Sequence, residues 1–191
     1  MICWEPGQTV KPDHGSIRTY SGLTFWPLNP HPALVGIGDV AHSLAHQCRF
    51  GGHTRNFYSV AQHSVRVSQA CAPKDALWGL LHDASEAYLV DVPAPLKQLP
   101  EFVAYRRAEM RLQSVIMQRF GLSTQQPPSV TAADLQLLTI ELQELFDVGP
   151  ADSVPGTEVW TPAVAEQRFL ERFRQLTGGQ LTGSTACEFC K

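Results

Sequence analysis

The segment LLHDASEAYLVDVPAPLK, residues 80–97, opens like the interior of a buried helix and then carries His82, Asp83 and Glu86 within a turn and a half. Charged groups are costly to bury unless they are paired or bound to a metal. On a helix, residues three and four apart are neighbours, so Glu86 shares a flank with both Asp83 and His82. Such a trio serves either a salt-bridged core or a metal. Two more residues point to the metal. His63 shares a helix face with Val60, Val67 and Ala70 and so points inward. Asp134 heads a stripe of Leu138, Leu142 and Leu145, where a core helix would normally offer another leucine; its alternative role is capping beside Thr131. Two imidazoles and two carboxylates suit a six-coordinate Mn²⁺, Co²⁺ or Mg²⁺ ion with open positions for water and substrate. A structural zinc would rather recruit cysteines.

The elements that must position these groups are mostly helical. SIRTY and LTFW flank a Ser21–Gly22 turn and predict a small N-terminal β-hairpin after an irregular opening. A helix follows, with Asp39 as its N-cap. RFGGHTRNF (49–57) reads as a polar loop. The His63 helix starts at Ser59, which forms an S-x-x-Q capping box with Gln62. Residues 76–88 are apolar nearly all round and predict one central helix, stopped by Pro93 and Pro95. A long amphipathic helix carries Phe102, Tyr105, Leu112, Val115, Ile116 and Phe120 and ends at Gly121. Another runs from about Thr131 through Leu135, Leu138, Leu142 and Leu145. The last begins at Thr161–Pro162, uses Phe169, Phe173 and Leu176, and ends at Gly178–Gly179.

The 191 residues, 43% of them hydrophobic, predict one domain over 1–177 with a tail over 178–191. A net charge of −3 offers no basic field for a nucleic-acid polymer. No apolar run reaches the length of a membrane span, and the N-terminus lacks the regions of a secretory signal. Five scattered cysteines do not make a disulfide framework, so a cytoplasmic protein is expected. The C-x-x-C of the CEFC tail is half of a zinc knuckle without its partner half.

The order H…HD…D, carried by His63, His82–Asp83 and Asp134, resembles the signature of the HD-domain metal-dependent phosphohydrolases. CRFGGHTRNFYSVAQHSV and LLHDASEAYLVDVPAPLK are similar to segments of the small bacterial and prophage HD-domain 5′-deoxynucleotidases. The likeness spans roughly residues 16 to 177. It implies an all-α HD-domain helical bundle that holds one divalent ion (Mn²⁺, Co²⁺ or Mg²⁺) on His63, His82, Asp83 and Asp134. It also implies that Glu86 is catalytic, orienting water or passing a proton to the leaving group. Arg49 matches an arginine that grips phosphate, and Asp91 an acid that bonds the sugar 3′-hydroxyl in a site too tight for a ribose. Phe50 stands where the better-known enzymes carry tryptophan, so base stacking is kept while the base pocket differs.

The function so implied is hydrolysis of deoxynucleoside 5′-monophosphates by a homo-oligomer. A triphosphohydrolase acting on a deoxynucleoside triphosphate such as dATP is the nearest alternative, and a non-catalytic nucleotide-binding regulator the next. A silenced regulator would have lost a ligand or the acid, and none is lost here. No histidine follows His82, which argues against a dinuclear redox centre. Three residues keep two roles at this stage. His53 either contacts phosphate or a second metal, or structures its loop. Lys97 either adds charge at the pocket mouth or is solvated. His42 and His46 have ligand spacing on one helix face, but with no acid near them in sequence they are expected to pack.

Overall fold

A computed structural model describes residues 15–146 and 158–179; the irregular opening and the CEFC tail lie outside them. Eight α-helices and one hairpin are present among the described residues. Strand β1 (Ile17–Arg18) pairs antiparallel with β2 (Thr24–Phe25), Ile17 facing Phe25 and Arg18 facing Thr24. Gly22 closes the turn at φ +85°, a conformation that favours glycine.

Helix α1 (Ile37–His46) starts two residues before Asp39, and Gly36 occupies the cap position. The expected capping role of Asp39 is therefore not observed. Its carboxylate accepts bonds from the Ser21 N–H (2.6 Å) and hydroxyl (2.8 Å), fastening the hairpin turn to the helix. A tertiary partner outbids a local cap. Helix α2 (Val60–Ala70) is capped as expected, the Ser59 hydroxyl accepting from the Gln62 N–H at 3.1 Å. The reciprocal half of the capping box is absent, because the Gln62 side chain donates to the Glu158 carbonyl instead.

The central helix is not continuous. It divides into α3 (Ala76–Leu81) and α4 (Glu86–Leu89), with His82–Ser85 as turns between them. The Gln113 side chain makes the break possible. Its Nε2 donates to the Leu81 carbonyl at 2.7 Å and its Oε1 accepts from the Ser85 N–H at 3.0 Å. Those are the two backbone groups that an unbroken helix would have paired with each other. A side chain inserted into the ladder is a known cause of helix breaks.

Short α5 (Ala94–Lys97) leads to α6 (Val103–Arg119), which supplies Gln113. Helix α7 (Pro128–Phe146) starts three residues earlier than expected, and its inward face differs from the expected stripe. Leu135 and Leu142 are exposed, while Val130, Ala133, Leu137, Glu141 and Leu145 are buried. Helix α8 (Pro162–Thr177) has its Thr161 cap, its buried Phe169 and Phe173, and a left-handed Gly178 at its end, all as expected.

Helix α2 lies at the centre, packed against α1, α3, α7 and α8. Gly79 sets the approach of α3 to α2. A Cβ there would stand 2.8 Å from Cys71 Sγ and 3.2 Å from Ser68 Cα, too close to be tolerated without movement. That close crossing brings His82, one turn beyond Gly79, to His63.

Candidate metal centre

Three elements deliver the four candidate ligands: α2 gives His63, the break after α3 gives His82 and Asp83, and α7 gives Asp134. His63 Nε2 lies 3.1 Å from Asp134 Oδ1 and 3.8 Å from Asp83 Oδ2. His82 Nε2 lies 3.1 Å from Asp83 Oδ2 and 3.9 Å from Asp134 Oδ1. His63, His82 and Asp134 each offer a ligand atom within 4.8 Å of the other two.

Each imidazole is held from behind. His82 Nδ1 is 2.9 Å from the Gly79 carbonyl, and His63 Nδ1 is 2.7 Å from Glu141 Oε1. A carbonyl only accepts, and so does an ionised carboxylate, so both Nδ1 atoms carry the proton. Each ring then turns its Nε2 into the shared space, the arrangement found behind metal-ligating histidines. Both Nε2 atoms are buried and lack a hydrogen-bond partner, despite the nearby carboxylates. Buried polar atoms are rarely left so. A divalent cation fits this donor set.

The electrostatics agree. Burial works against a charged His82, yet Asp83, Asp134 and the Gly79 carbonyl carry its pKa above the ordinary imidazole value. Burial likewise opposes ionisation of Asp83 and Asp134, but the imidazoles hold both carboxyls below their usual range. The space between these groups favours positive charge.

Glu141 is the residue that sequence reasoning missed. It is fully buried, and its carboxylate takes hydrogen bonds from His63 Nδ1, from the Tyr58 hydroxyl at 2.7 Å and from Arg49 Nε at 2.8 Å. Burial pushes its pKa up, but the His63 bond, the fields of His63 and Arg49 and the Tyr58 bond outweigh that and bring it to about 2. A signal existed in the sequence: Glu141 lies seven residues after Asp134, two turns along the same face.

A comparison with known proteins places this chain among relatives. It is 39% identical over 172 residues to the uncharacterized protein YfdR of Escherichia coli, a match covering 84% of this chain and 95% of the relative. The chain belongs to the YfdR family. An uncharacterized Rhodobacter capsulatus protein, RCAP_rcc00048, is 32% identical over 154 residues, covering 73% of this chain and 78% of the relative. No protein-family model matches the sequence.

Around the centre of this YfdR-family chain, Glu86 is buried beside the candidate ligands without joining the cluster of His63, His82 and Asp134. Its Oε1 accepts from Lys97 Nζ at 2.9 Å, and its Oε2 is buried without a partner. Burial, then Asp83 and Asp91, raise the Glu86 pKa well above the usual carboxyl value. Lys97 is not the solvated lysine of the second expectation: it bridges Glu86 and Glu109, the latter at 2.6 Å.

Arg49 is no surface charge. Its side chain is 13% exposed, engaged by Glu141, with an Nη 3.9 Å from Asp134 Oδ1. Phe50 follows at φ 56°, ψ 30°, a left-handed backbone continued by Gly51 and Gly52. The Phe50 ring meets Phe146 edge-on at 5.2 Å. Asp91 is half-buried; burial and Asp83 raise its pKa, while Arg49, Lys97 and His63 act the other way, so it lies within the field of the centre. Val90 reaches it through φ 63°, ψ 157°, a region costly for a β-branched residue. The turn is braced by the Tyr105 hydroxyl on the Val90 carbonyl and by Gln47 on the Asp91 N–H. His53 is exposed and belongs to neither cluster of metal-ligating side chains among the described residues.

Proposed function

We propose that this protein is a divalent-metal-dependent phosphohydrolase of the HD-domain type, cleaving deoxynucleoside 5′-monophosphates to deoxynucleoside and phosphate. One observation carries the proposal. Two buried imidazole Nε2 atoms without hydrogen-bond partners converge with Asp83 and Asp134, while both rings are locked through Nδ1.

His63, His82, Asp83 and Asp134 would hold Mn²⁺, Co²⁺ or Mg²⁺. Bound there, such an ion would polarise the phosphoryl group and lower the pKa of water. The remaining work falls to side chains. Arg49, fixed at Nε by Glu141, keeps its outer guanidinium nitrogens for a phosphate oxygen. Glu86 has one carboxyl oxygen held by Lys97 and the other unpartnered, and its raised pKa suits a group that must both hold and release a proton. Asp91 can bond a sugar hydroxyl, and Phe50 offers an aromatic surface to a base.

Monophosphates are favoured over triphosphates by the state of Lys97. A triphosphate brings about two more negative charges, which a water-excluded site must neutralise. Lys97 is already shared between two glutamates. The test is a panel of deoxynucleoside mono-, di- and triphosphates with each of the three metals, following phosphate, pyrophosphate and triphosphate release. Orthophosphate from monophosphates is expected. Intact triphosphate released from dATP would replace the proposal with the triphosphohydrolase. No hydrolysis under any metal, with nucleotide still bound, would replace it with the regulator.

A further inference from the structure

A second cluster of metal-ligating side chains stands apart from the centre. His42 and His46 are one helical turn apart on α1, and Glu166 reaches them from α8. The acid whose absence from the neighbouring sequence argued for simple packing is thus supplied 124 residues along the chain. His42 Nδ1 is 2.9 Å from Glu166 Oε2. His46 Nδ1 is 2.8 Å from the His42 carbonyl, which can only accept, so Nε2 is the His46 nitrogen left for a ligand. The Tyr20 ring stacks on His42 at 3.6 Å with 9° between the planes, and the His46 ring lies 4.1 Å from that of His42. One ligand atom from each of the three residues falls within 4.8 Å of the others.

We propose that His42, His46 and Glu166 form a zinc site that clamps α1 to α8. Two imidazoles and a carboxylate are a borderline-soft set of the kind zinc takes with water in the fourth position. Ligands about 2.0–2.1 Å from zinc stand roughly 3.3 Å apart in a tetrahedron. The His42–Glu166 separation already approaches that spacing. The ion takes the place of the proton between His42 Nδ1 and Glu166, and the ring keeps its one proton by carrying it on Nε2. Stacking on Tyr20 fixes the His42 ring before the ion arrives, and the exposed His46 leaves the site open to entry. The inference does not rest on the phosphohydrolase proposal.

The experiment is zinc stoichiometry on the untagged chain. Metal-stripped protein is equilibrated with zinc, freed of excess by gel filtration and assayed by elemental analysis, with thermal melts alongside. The wild type is expected to retain about two ions per chain, and His46→Ala and Glu166→Gln about one each. Asp83→Ala should also keep about one and should still melt higher with zinc, a shift that disappears when His46→Ala is added. If Asp83→Ala does not fold, the difference of one ion between wild type and His46→Ala decides alone. Equal zinc content in wild type and His46→Ala overturns the proposal, as does a folded Asp83→Ala protein that binds none.

Discussion

His63 Nδ1 stands 2.7 Å from Glu141 Oε1, and this contact fixes which nitrogen of the ring faces the centre. Glu141 also holds Arg49 and Tyr58, so one buried carboxylate orients both a candidate ligand and a candidate phosphate grip. In Glu141→Gln the amide NH₂ must face a donor on at least one side. Metal affinity should fall about 10–100-fold, as expected for loss of a partner behind a ligand. Isothermal titration of the variant against wild type checks this.

The same carboxylate predicts an acid-side signature. Its folded pKa of about 2 lies below the ordinary 4.5, so it stabilises the fold fully above the ordinary value. That stability is lost as pH falls through the folded value. Metal-free wild type should therefore lose on the order of 3 kcal/mol from this group between about pH 4.5 and 2. Denaturant melts across that window should show a shallower loss for Glu141→Gln.

Gln113 and the break between α3 and α4 form a second testable unit. Gln113→Ala leaves the Ser85 N–H without its partner and the Leu81 carbonyl with the Ala84 N–H alone, and should cost about 1–3 kcal/mol. Turnover should fall too, because Glu86 begins the helix that the break redirects. An equally stable Gln113→Ala protein would show that the two backbone groups pair with each other in its absence.

The sequence was a good guide wherever the signal was local. Ser59, Thr161–Pro162, Gly178 and the Ser21–Gly22 turn all do what their types predict, and His63 is inward as its helix face requires. It misled wherever a distant side chain decided the matter. Apolar periodicity through residues 76–88 carries no trace of Gln113. The leucines of α7 suggested a face that the structure exposes at Leu135 and Leu142, while the buried face carries Asp134's neighbours and Glu141. The partners of Asp39, Lys97 and His42 lie 11 to 124 residues away, beyond the reach of a local pattern.

Lys97 gives a pH prediction whose sign does not depend on the role of Glu86. Its ammonium lowers the Glu86 pKa against burial and the neighbouring carboxylates. Lys97→Ala should therefore move the Glu86 limb of the pH–rate profile to higher pH, whether the carboxyl acts as acid or base. Glu86→Gln should remove that limb and lower turnover by about two orders of magnitude while metal content stays unchanged.

Asp91 predicts sugar selection. Ribonucleotides should be hydrolysed far more slowly than deoxynucleotides, and Asp91→Ala should weaken use of the deoxy substrate by about 1–3 kcal/mol, the scale of a buried hydrogen bond lost. Comparing kcat/KM on dAMP and AMP reads this directly. Equal values for the two in wild type would remove the sugar-reading role.

The central claim is that His63, His82, Asp83 and Asp134 hold the ion on which hydrolysis depends. Its most direct test is phosphate release from dAMP by metal-stripped protein, before and after adding back Mn²⁺, Co²⁺ or Mg²⁺, with Asp83→Ala in parallel. The account predicts no release from stripped wild type, recovery on metal addition, and no recovery in Asp83→Ala. Full release from protein shown by elemental analysis to be metal-free would contradict it.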